Sequence, residues 1–302
     1  MSVSRNLHWG AEALWLELST LLPGLSVEVV ASADSTNTRL LERARVLSGR
    51  RNAPVTTPGQ LDSAHAPWHE PTPHGRRNDD THPCLLVAEQ QTSGRGRLGR
   101  VWHSSAGMSL TFSLGLPLSP PAWSGLSLAV GMALADALDP VAGDAPPRIG
   151  LKWPNDLWLM ESPGRGRKLG GVLIETVVVG ERRMSVVGVG LNVLPQAATT
   201  DMSSGFACLQ ELWPGIDAPQ ALKLVALPLV SMLKRFEREG FAPFAPAFGR
   251  RDLLFGQQVT TTYPGISGGV AEGIDEQGAL RVRAGTVHAL VSGEVSVRPT
   301  GA

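Results

Sequence analysis

Residues 94–100 read GRGRLGR, and this composition sets the segment apart from the rest of the chain. Three glycines raise the entropy lost when the backbone is ordered, and three arginines in seven residues repel each other. Such a segment is either disordered or ordered around an anion. Trp102 and the strand-like sequence on each side favour an ordered loop, in which Arg95, Arg97 and Arg100 offer forked donors to a phosphate or carboxylate.

Two common nucleotide motifs do not explain this loop. GRGRLG satisfies the dinucleotide pattern G-x-G-x-x-G, but that motif needs a helix after it, and VWHSSAGMSLTFSLGL has strand character. The P-loop pattern G-x-x-x-x-G-K-[ST] does not occur in the sequence. The sequence therefore predicts an anion-binding loop of another kind.

Four further segments place polar side chains where apolar runs begin or end. KWPND (152–156) combines a cation, a rigid turn, an amide and a carboxylate. KLGG (168–171) has a lysine just before a buried strand, and this lysine either contacts a ligand or is a solvated strand end. GVGLN (188–192) ends a strand with an asparagine that contacts a ligand or caps a turn. DSTN (34–37) lies at a strand-to-helix junction, where unpaired backbone N–H groups favour anions and polar ligands.

Strands and helices that would position these segments follow from the apolar patterns. Strands are predicted from LSVEVVA, PCLLVAEQQ and RIGLKWPNDLWLM, and a hairpin from the two apolar runs around Gly180. Helices are predicted after DSTN, over 123–138, and over 220–239, where Pro228 should bend the helix. Beyond Asp252, short strands with glycine-rich turns predict a small β-barrel, so we divide the chain into 1–252 and 253–302.

Composition excludes several classes of protein. The net charge is +0, which argues against general binding to nucleic acids or membrane surfaces. The two cysteines form no C-x-x-C motif, so neither a disulfide framework nor a zinc ribbon is indicated, and lone thiols suit a reducing cytosol. No apolar run reaches 18 residues, and the first 22 residues do not form a signal peptide.

Residues 49–83 differ from the rest, because they are rich in Pro, His, Arg and Asp and have almost no apolar periodicity. We interpret them as a flexible surface insertion. His65, His69, His74 and His82 near Cys84 could form a metal site, but histidines scattered through a loop without a fixed frame are the stronger interpretation.

In order along the chain, DSTN, EQQTSGRGRLGRVW, KWPND, KLGGVLIE and GVGLNV, with the terminal GIDEQGAL and SGEVSVR, resemble the biotin protein ligase family, the biotin–[acetyl-CoA-carboxylase] ligases. The resemblance covers about residues 25–302 without the insertion. It implies an α+β fold: a catalytic domain with a mixed sheet, related to class II aminoacyl-tRNA synthetases, and a small SH3-like barrel. Only about 25 residues precede the first strand, so we expect the class without a DNA-binding domain.

The resemblance also implies a reaction. Biotin and ATP, with Mg²⁺, give biotinoyl-5′-AMP and pyrophosphate, and a lysine of a biotin carboxyl carrier protein then attacks the mixed anhydride. No enzyme nucleophile and no tightly bound prosthetic group are expected. The expected setting is cytoplasmic, without DNA or membrane partners, and a homodimer is among the states that the resemblance allows.

Site residues follow from the resemblance, motif by motif. Biotin contacts fall on Ser35, Thr36, Asn37, Gln91, Arg95, Gly96, Arg97, Lys168 and Gly171. Nucleotide contacts fall on Arg97, Arg100, Trp102, Lys152, Asn155 and Asn192, and a magnesium-linked contact falls on Asp156. Catalytic roles fall on Lys168, Arg95, Arg97 and Lys152. Leu98 departs from the family pattern, which often has arginine there. We expect the loop to become ordered only around the adenylate, so that it shields the anhydride from water.

Two alternatives remain open at this stage. One is another acyl-adenylate ligase, with lipoate or octanoate as the acid. The other is a non-catalytic protein that binds RNA through the GRGR loop, although neutral charge and a single tyrosine with seven phenylalanines make a stacking platform unfavourable.

Overall fold

The computed structural model describes residues 7–51, 81–196, 205–291 and 297–299, with the backbone alone for 46–51. Seven strands form its central sheet: β1 (Ser26–Ala33), β2 (Cys84–Gln91), β3 (Ser109–Pro117), β4 (Ile149–Lys152), β5 (Asp156–Ser162), β6 (Arg165–Val179) and β7 (Arg182–Asn192). Their order is β1-β2-β3-β7-β6-β5-β4. β1 and β2 are parallel, and the other neighbours are antiparallel, so the sheet is mixed as expected.

Helices cover both faces of this sheet: α1 (Ala11–Leu18), α2 (Thr36–Arg51), α3 (Leu126–Leu138), α4 (Ala218–Glu239) and α5 (Ala245–Phe248). On one face, Leu40 of α2 packs in a cluster with Leu86 of β2. Leu85 and Val87 belong to the larger core that includes α1, α3 and α4, because successive strand residues point to opposite faces. Successive side chains of β2 are thus buried in two different clusters, one on each face of the sheet.

The predicted elements are confirmed with small shifts at their ends. The helix predicted over 123–138 begins at Leu126, and the predicted hairpin around Gly180 joins β6 to β7. α4 begins after Asp217, whose carboxylate accepts a hydrogen bond from the Gln220 backbone N–H at 2.8 Å. It continues through Pro228 as one helix.

A second, five-stranded antiparallel sheet follows, in the order β11-β10-β9-β8-β12, and contains β8 (Gln258–Thr261), β9 (Gly268–Ile274), β10 (Leu280–Ala284), β11 (Thr286–Leu290) and β12 (Val297–Pro299). Its apolar residues share one buried cluster with the central sheet. Arg251, 4% exposed, lies between α5 and β8 and donates hydrogen bonds to the carboxylates of Asp136 and Asp139 and to the Ile149 carbonyl, so it fixes this segment to α3 and β4. The domain boundary near Asp252 stays a prediction.

Most of the segment that we interpret as an insertion, 52–80, lies outside the described residues, and His65, His69 and His74 lie there too. Residues 49–51 belong to α2, so the helix extends further than expected. Across the part of the chain that the structure covers, no three His, Cys, Asp or Glu side chains are grouped to hold a metal ion. None of the helices described above is long and apolar enough to cross a membrane.

Candidate active site

A cavity of about 460 Å³ opens where the loop after β2, the start of α2, the β4–β5 turn and the strands β6 and β7 meet. The structure brings all fifteen residues assigned from the sequence to this cavity: Ser35, Thr36, Asn37, Gln91, Arg95, Gly96, Arg97, Arg100, Trp102, Lys152, Asn155, Asp156, Lys168, Gly171 and Asn192. Their separate roles stay predictions.

One end of the cavity is built from hydroxyl and amide groups at the N-terminus of α2. The Ser35 hydroxyl accepts a hydrogen bond from the Thr38 backbone N–H at 3.4 Å, as an N-cap does. Gln91 Oε1 accepts the Thr36 backbone N–H at 2.7 Å and lies 3.1 Å from the Thr36 hydroxyl. The end of β2 and the start of α2 are therefore fixed to each other through Gln91.

Asn37 is held on both sides of its amide. The Ser113 hydroxyl donates to Asn37 Oδ1 at 2.6 Å, while Asn37 Nδ2 donates to a Glu175 carboxylate oxygen at 2.9 Å and to the Leu173 carbonyl at 3.2 Å. Asn37, a predicted ligand residue, therefore uses its amide donors and its amide acceptor in hydrogen bonds to protein groups. Ser113 and Glu175 are the functional neighbours that sequence reasoning missed, although Glu175 lies within KLGGVLIE.

The glycine–arginine loop, residues 94–102, is a tight hairpin stabilised by its own backbone. Gly96 N–H donates to the Arg100 carbonyl at 2.7 Å, and Trp102 N–H donates to the Gly94 carbonyl at 2.8 Å. Leu98 adopts a left-handed φ of 57° and is half exposed. Backbone hydrogen bonds and the carboxylate of Glu175 hold the loop in this conformation, and the expectation that it becomes ordered only around an adenylate stays a prediction.

The other end of the cavity is cationic. Lys168 Nζ donates to Asp156 Oδ1 at 2.8 Å, and Arg97 donates to Asn155 Oδ1 at 3.3 Å. Lys152 Nζ lies 5.5 Å from the centre of the Trp158 ring, which is within cation–π range. This arrangement leaves one carboxylate, Asp156, among several cations lining the cavity, Arg95, Arg97, Arg100, Lys152, Lys168 and Arg298.

Burial makes this positive charge costly. The pKa of the Lys152 ammonium falls to about 8, first because of burial and then because Lys168, Arg100 and Arg298 repel its charge, against an opposing attraction from Asp156. Burial likewise lowers the pKa of the Arg97 guanidinium. An anionic ligand would offset both penalties, so the cavity is electrostatically suited to phosphates and carboxylates.

Glycines on β7 allow the cavity to form. A Cβ on Gly188 would lie 2.2 Å from Asn37 Oδ1, and a Cβ on Gly190 would lie 2.5 Å from the Trp102 indole. Trp102 Nε1 is buried without a hydrogen-bond partner among the described residues. Neither close approach can be deduced from the GVGLN pattern alone.

Asn192 has a bracing contact that the sequence did not reveal. Its Nδ2 donates to the Ala207 carbonyl at 3.0 Å and to the Lys168 carbonyl at 3.3 Å. Asn192 therefore fixes the backbone of Lys168, whose side chain lines the cavity. Asn192 is more than a turn cap, and Lys168 is more than a solvated strand end.

Comparison with known proteins places this geometry in a family. Residues 76–192 match the Biotin/lipoate A/B protein ligase family, and residues 254–298 match the Biotin protein ligase C terminal domain. The Bifunctional ligase/repressor BirA of Escherichia coli is 31% identical over 287 residues, which cover 92% of this chain and 75% of that protein. The chain belongs to the biotin protein ligase family. Another member, the Biotin--[acetyl-CoA-carboxylase] ligase of Mycobacterium tuberculosis, is 34% identical over 222 residues, covering 70% of this chain and 78% of that one.

Solved structures of biotin protein ligases share the fold. The enzyme from Aquifex aeolicus in complex with biotin and ATP superposes with a TM-score of 0.65 at 25% identity, covering 91% of this chain and 99% of that chain. The Helicobacter pylori biotin acetyl coenzyme A carboxylase synthetase matches with a TM-score of 0.52 at 22% identity, over 87% and 98% of the two chains, and supports the fold alone. The α+β class with a small SH3-like unit is thereby confirmed.

Within this family framework, the second sheet contributes to the cavity in a way that sequence reasoning did not predict. Val297 and Arg298 of β12 line the cavity together with the central-sheet residues. Arg298 comes from SGEVSVR, a segment that carried the resemblance without an assigned role. The signal was present in the sequence, but the position of β12 against the cavity depends on packing between the two sheets.

Proposed function

We propose that this chain is an ATP-dependent biotin protein ligase, which activates biotin as biotinoyl-5′-AMP and transfers it to a lysine of a biotin carboxyl carrier protein. The observation that carries this proposal is that one cavity has amides and hydroxyls at one end and cations at the other. A ligand with a polar ring, an apolar chain and a carboxylate that must meet a phosphate fits this distribution.

The polar end suits the ring system of biotin. Thr36 and Gln91 fix each other at the start of α2, so the Gln91 side-chain amide, which lines the cavity, is held in a defined orientation. Asn37 is already bonded within the protein, and it supports the proposal as part of the wall that this ring would contact. Val189 and Leu173 supply apolar surface between the two ends.

The cationic end suits the chemistry. Attack of a carboxylate on the α-phosphate brings two anions together, so the first requirement is charge neutralisation in a site of low dielectric. Lys168, held by Asp156, and Arg97, held by Asn155, are the cations that we assign to the carboxylate and the phosphoryl oxygens. Lys152, Arg100 and Arg298 are assigned to the remaining phosphates. Alignment and electrostatics then suffice without an enzyme nucleophile.

Magnesium fits this site in a limited way. Asp156 is the one carboxylate among the described residues that line the cavity, and Lys168 already occupies one of its oxygens. Mg²⁺ is usually held by one or two carboxylates together with substrate phosphates. We therefore propose that Asp156 is the protein ligand, and that ATP provides the other anionic oxygens.

The test uses purified protein, ATP, biotin and a biotin carboxyl carrier domain. We expect biotin-dependent exchange of labelled pyrophosphate into ATP, followed by biotinylation of a single carrier lysine. Parallel reactions with lipoate and octanoate decide between the acids. Exchange that depends on lipoate or octanoate instead of biotin would overturn the proposal, and so would no exchange with any of them.

We further propose a cytoplasmic location and no DNA partner. Cys84 and Cys208 are both buried thiols, which a reducing compartment preserves, and the chain has zero net charge. The oligomeric state stays a prediction, and sedimentation with and without biotin and ATP distinguishes a monomer from a homodimer. Localisation of a tagged chain and a DNA-binding assay at physiological salt test the remaining two statements.

A further inference from the structure

Glu175 contacts both the glycine–arginine loop and the first turn of α2, and no other carboxylate among the described residues does so. It lies on β6, and its carboxylate oxygens receive Nη2 of Arg95 at 3.2 and 3.3 Å. The oxygen at 3.2 Å from Arg95 also accepts Nδ2 of Asn37 at 2.9 Å. One carboxylate therefore connects β6, the first turn of α2 and the glycine–arginine loop.

These contacts have different strengths and consequences. Asn37 is 3% exposed and is also fixed by Ser113, so the Glu175–Asn37 bond completes a buried network. The side chains of Arg95 and Glu175 are 46% and 28% exposed, so their ion pair adds little to global stability. Its effect is local, because it holds a loop whose other arginines repel each other.

We propose that Glu175 is a positioning residue that fastens the glycine–arginine loop to the wall formed by Asn37, and that this contact slows release of the adenylate. The inference rests on the proposed function. The opposite arrangement, in which Glu175 competes with the ligand for Arg95, predicts slower release when its charge is removed.

Two substitutions separate the two contacts. In Glu175→Gln, the one amide oxygen can take the place of the carboxylate oxygen that Asn37 and Arg95 share, and it can still accept a hydrogen bond from Asn37. The amide –NH₂ then takes the place of the other carboxylate oxygen and faces the Arg95 guanidinium, so that two donors oppose each other. Glu175→Gln therefore weakens the loop contact and spares the Asn37 contact. Glu175→Ala removes both. We expect the biotin KM to stay near the wild-type value in the glutamine variant and to rise in the alanine variant.

The matched control is Glu272→Gln. Glu272 pairs with Arg283 on the second sheet, with side-chain exposures of 25% and 53% that resemble those of the Glu175–Arg95 pair. It is not among the residues that line the cavity. Any effect of losing a partly exposed carboxylate in general will appear in this variant.

Two measurements on the full chain test the proposal. The first is limited trypsin digestion without ligands, in which mass spectrometry follows cleavage after Arg95, Arg97 and Arg100. The second is a chase of labelled adenylate, formed in place from biotin and ATP. For Glu175→Gln we expect both rates to rise about 2- to 5-fold, the range that a partly exposed ion pair supports, and Glu272→Gln to match wild type. Arg95→Ala with Glu175→Gln should release the adenylate no faster than Arg95→Ala alone, because both changes remove one contact.

The outcomes are distinct. Equal trypsin and release rates in Glu175→Gln and Glu272→Gln would overturn the inference and leave the proposed function intact. Slower release in Glu175→Gln would also overturn it, in favour of competition. If wild-type protein forms no adenylate, the proposed function fails, while the trypsin measurement still decides whether Glu175 holds the loop.

Discussion

The substitution Gly188→Ala should damage the polar end of the cavity through one methyl group. The new Cβ would lie 2.2 Å from Asn37 Oδ1, far inside van der Waals contact. β7 cannot retreat, because it is hydrogen-bonded to β3 on one side and to β6 on the other. The Asn37 amide must therefore rotate away.

The cost follows from the bonds that Asn37 loses. It makes hydrogen bonds with Ser113, Glu175 and Leu173. At about 0.5–1.5 kcal/mol each, the three bonds together amount to roughly 1.5–4.5 kcal/mol. If this loss is expressed in ligand binding, the dissociation constant for biotin rises about 10- to 2,000-fold.

Titration calorimetry with biotin, together with thermal unfolding, measures both consequences. The control is Gly249→Ala, in which the nearest atom to the added Cβ, the Pro246 carbonyl oxygen, lies at 3.6 Å. A double variant, Asn37→Ala with Gly188→Ala, should bind biotin no worse than Asn37→Ala alone, because truncation makes room for the methyl group. Biotin affinity within 2-fold of wild type in Gly188→Ala would refute the reasoning.

Three further predictions concern charges. Lys168→Ala removes a charge-assisted contact worth about 1.5–3 kcal/mol, so pyrophosphate exchange should slow by about 10- to 100-fold. The surface variant Lys234→Ala should match wild type. Normal exchange in Lys168→Ala contradicts the assigned role of Lys168. Because the pKa of Lys152 is lowered to about 8 without ligand, we expect kcat/KM for ATP to fall as pH rises above about 8. In Lys152→Arg, which stays charged, this fall should disappear, and its persistence would assign the titration elsewhere. Burial raises the pKa of Asp252 to about 6, so the folded state holds this proton more tightly than the unfolded state, and stability from this group is gained as pH falls through 6. The raised pKa corresponds to a loss of roughly 3 kcal/mol of wild-type stability at pH 8, and Asp252→Asn recovers this loss less about 1 kcal/mol for an unpaired amide. Thermal unfolding should therefore show Asp252→Asn more stable than wild type at pH 8, with a smaller difference at pH 5. An equal difference at both pH values contradicts the assignment.

Local elements and the chemical types of the site residues were readable from the sequence. The apolar run CLLVA identified β2, because a strand buried on both faces carries such a run, and the two apolar runs around Gly180 identified the β6–β7 hairpin. A polar cluster before an amphipathic run identified the start of α2, because a helix N-terminus needs capping. The family motifs then identified fifteen residues, all of which reach one cavity.

Only the tertiary structure decided how these residues meet. The strand order places β7 between β3 and β6, and periodicity cannot reveal such neighbours because it encodes which face is buried and not what lies beside it. The contact of Glu175 with Asn37 spans 138 residues of chain, and the need for glycine at position 188 arises only when α2 packs over β7. Arg298 likewise reaches the cavity through the packing of one sheet against another. The sequence determined which groups could bind an anion, while long-range packing determined which of them face the ligand and which are spent on holding the others in place.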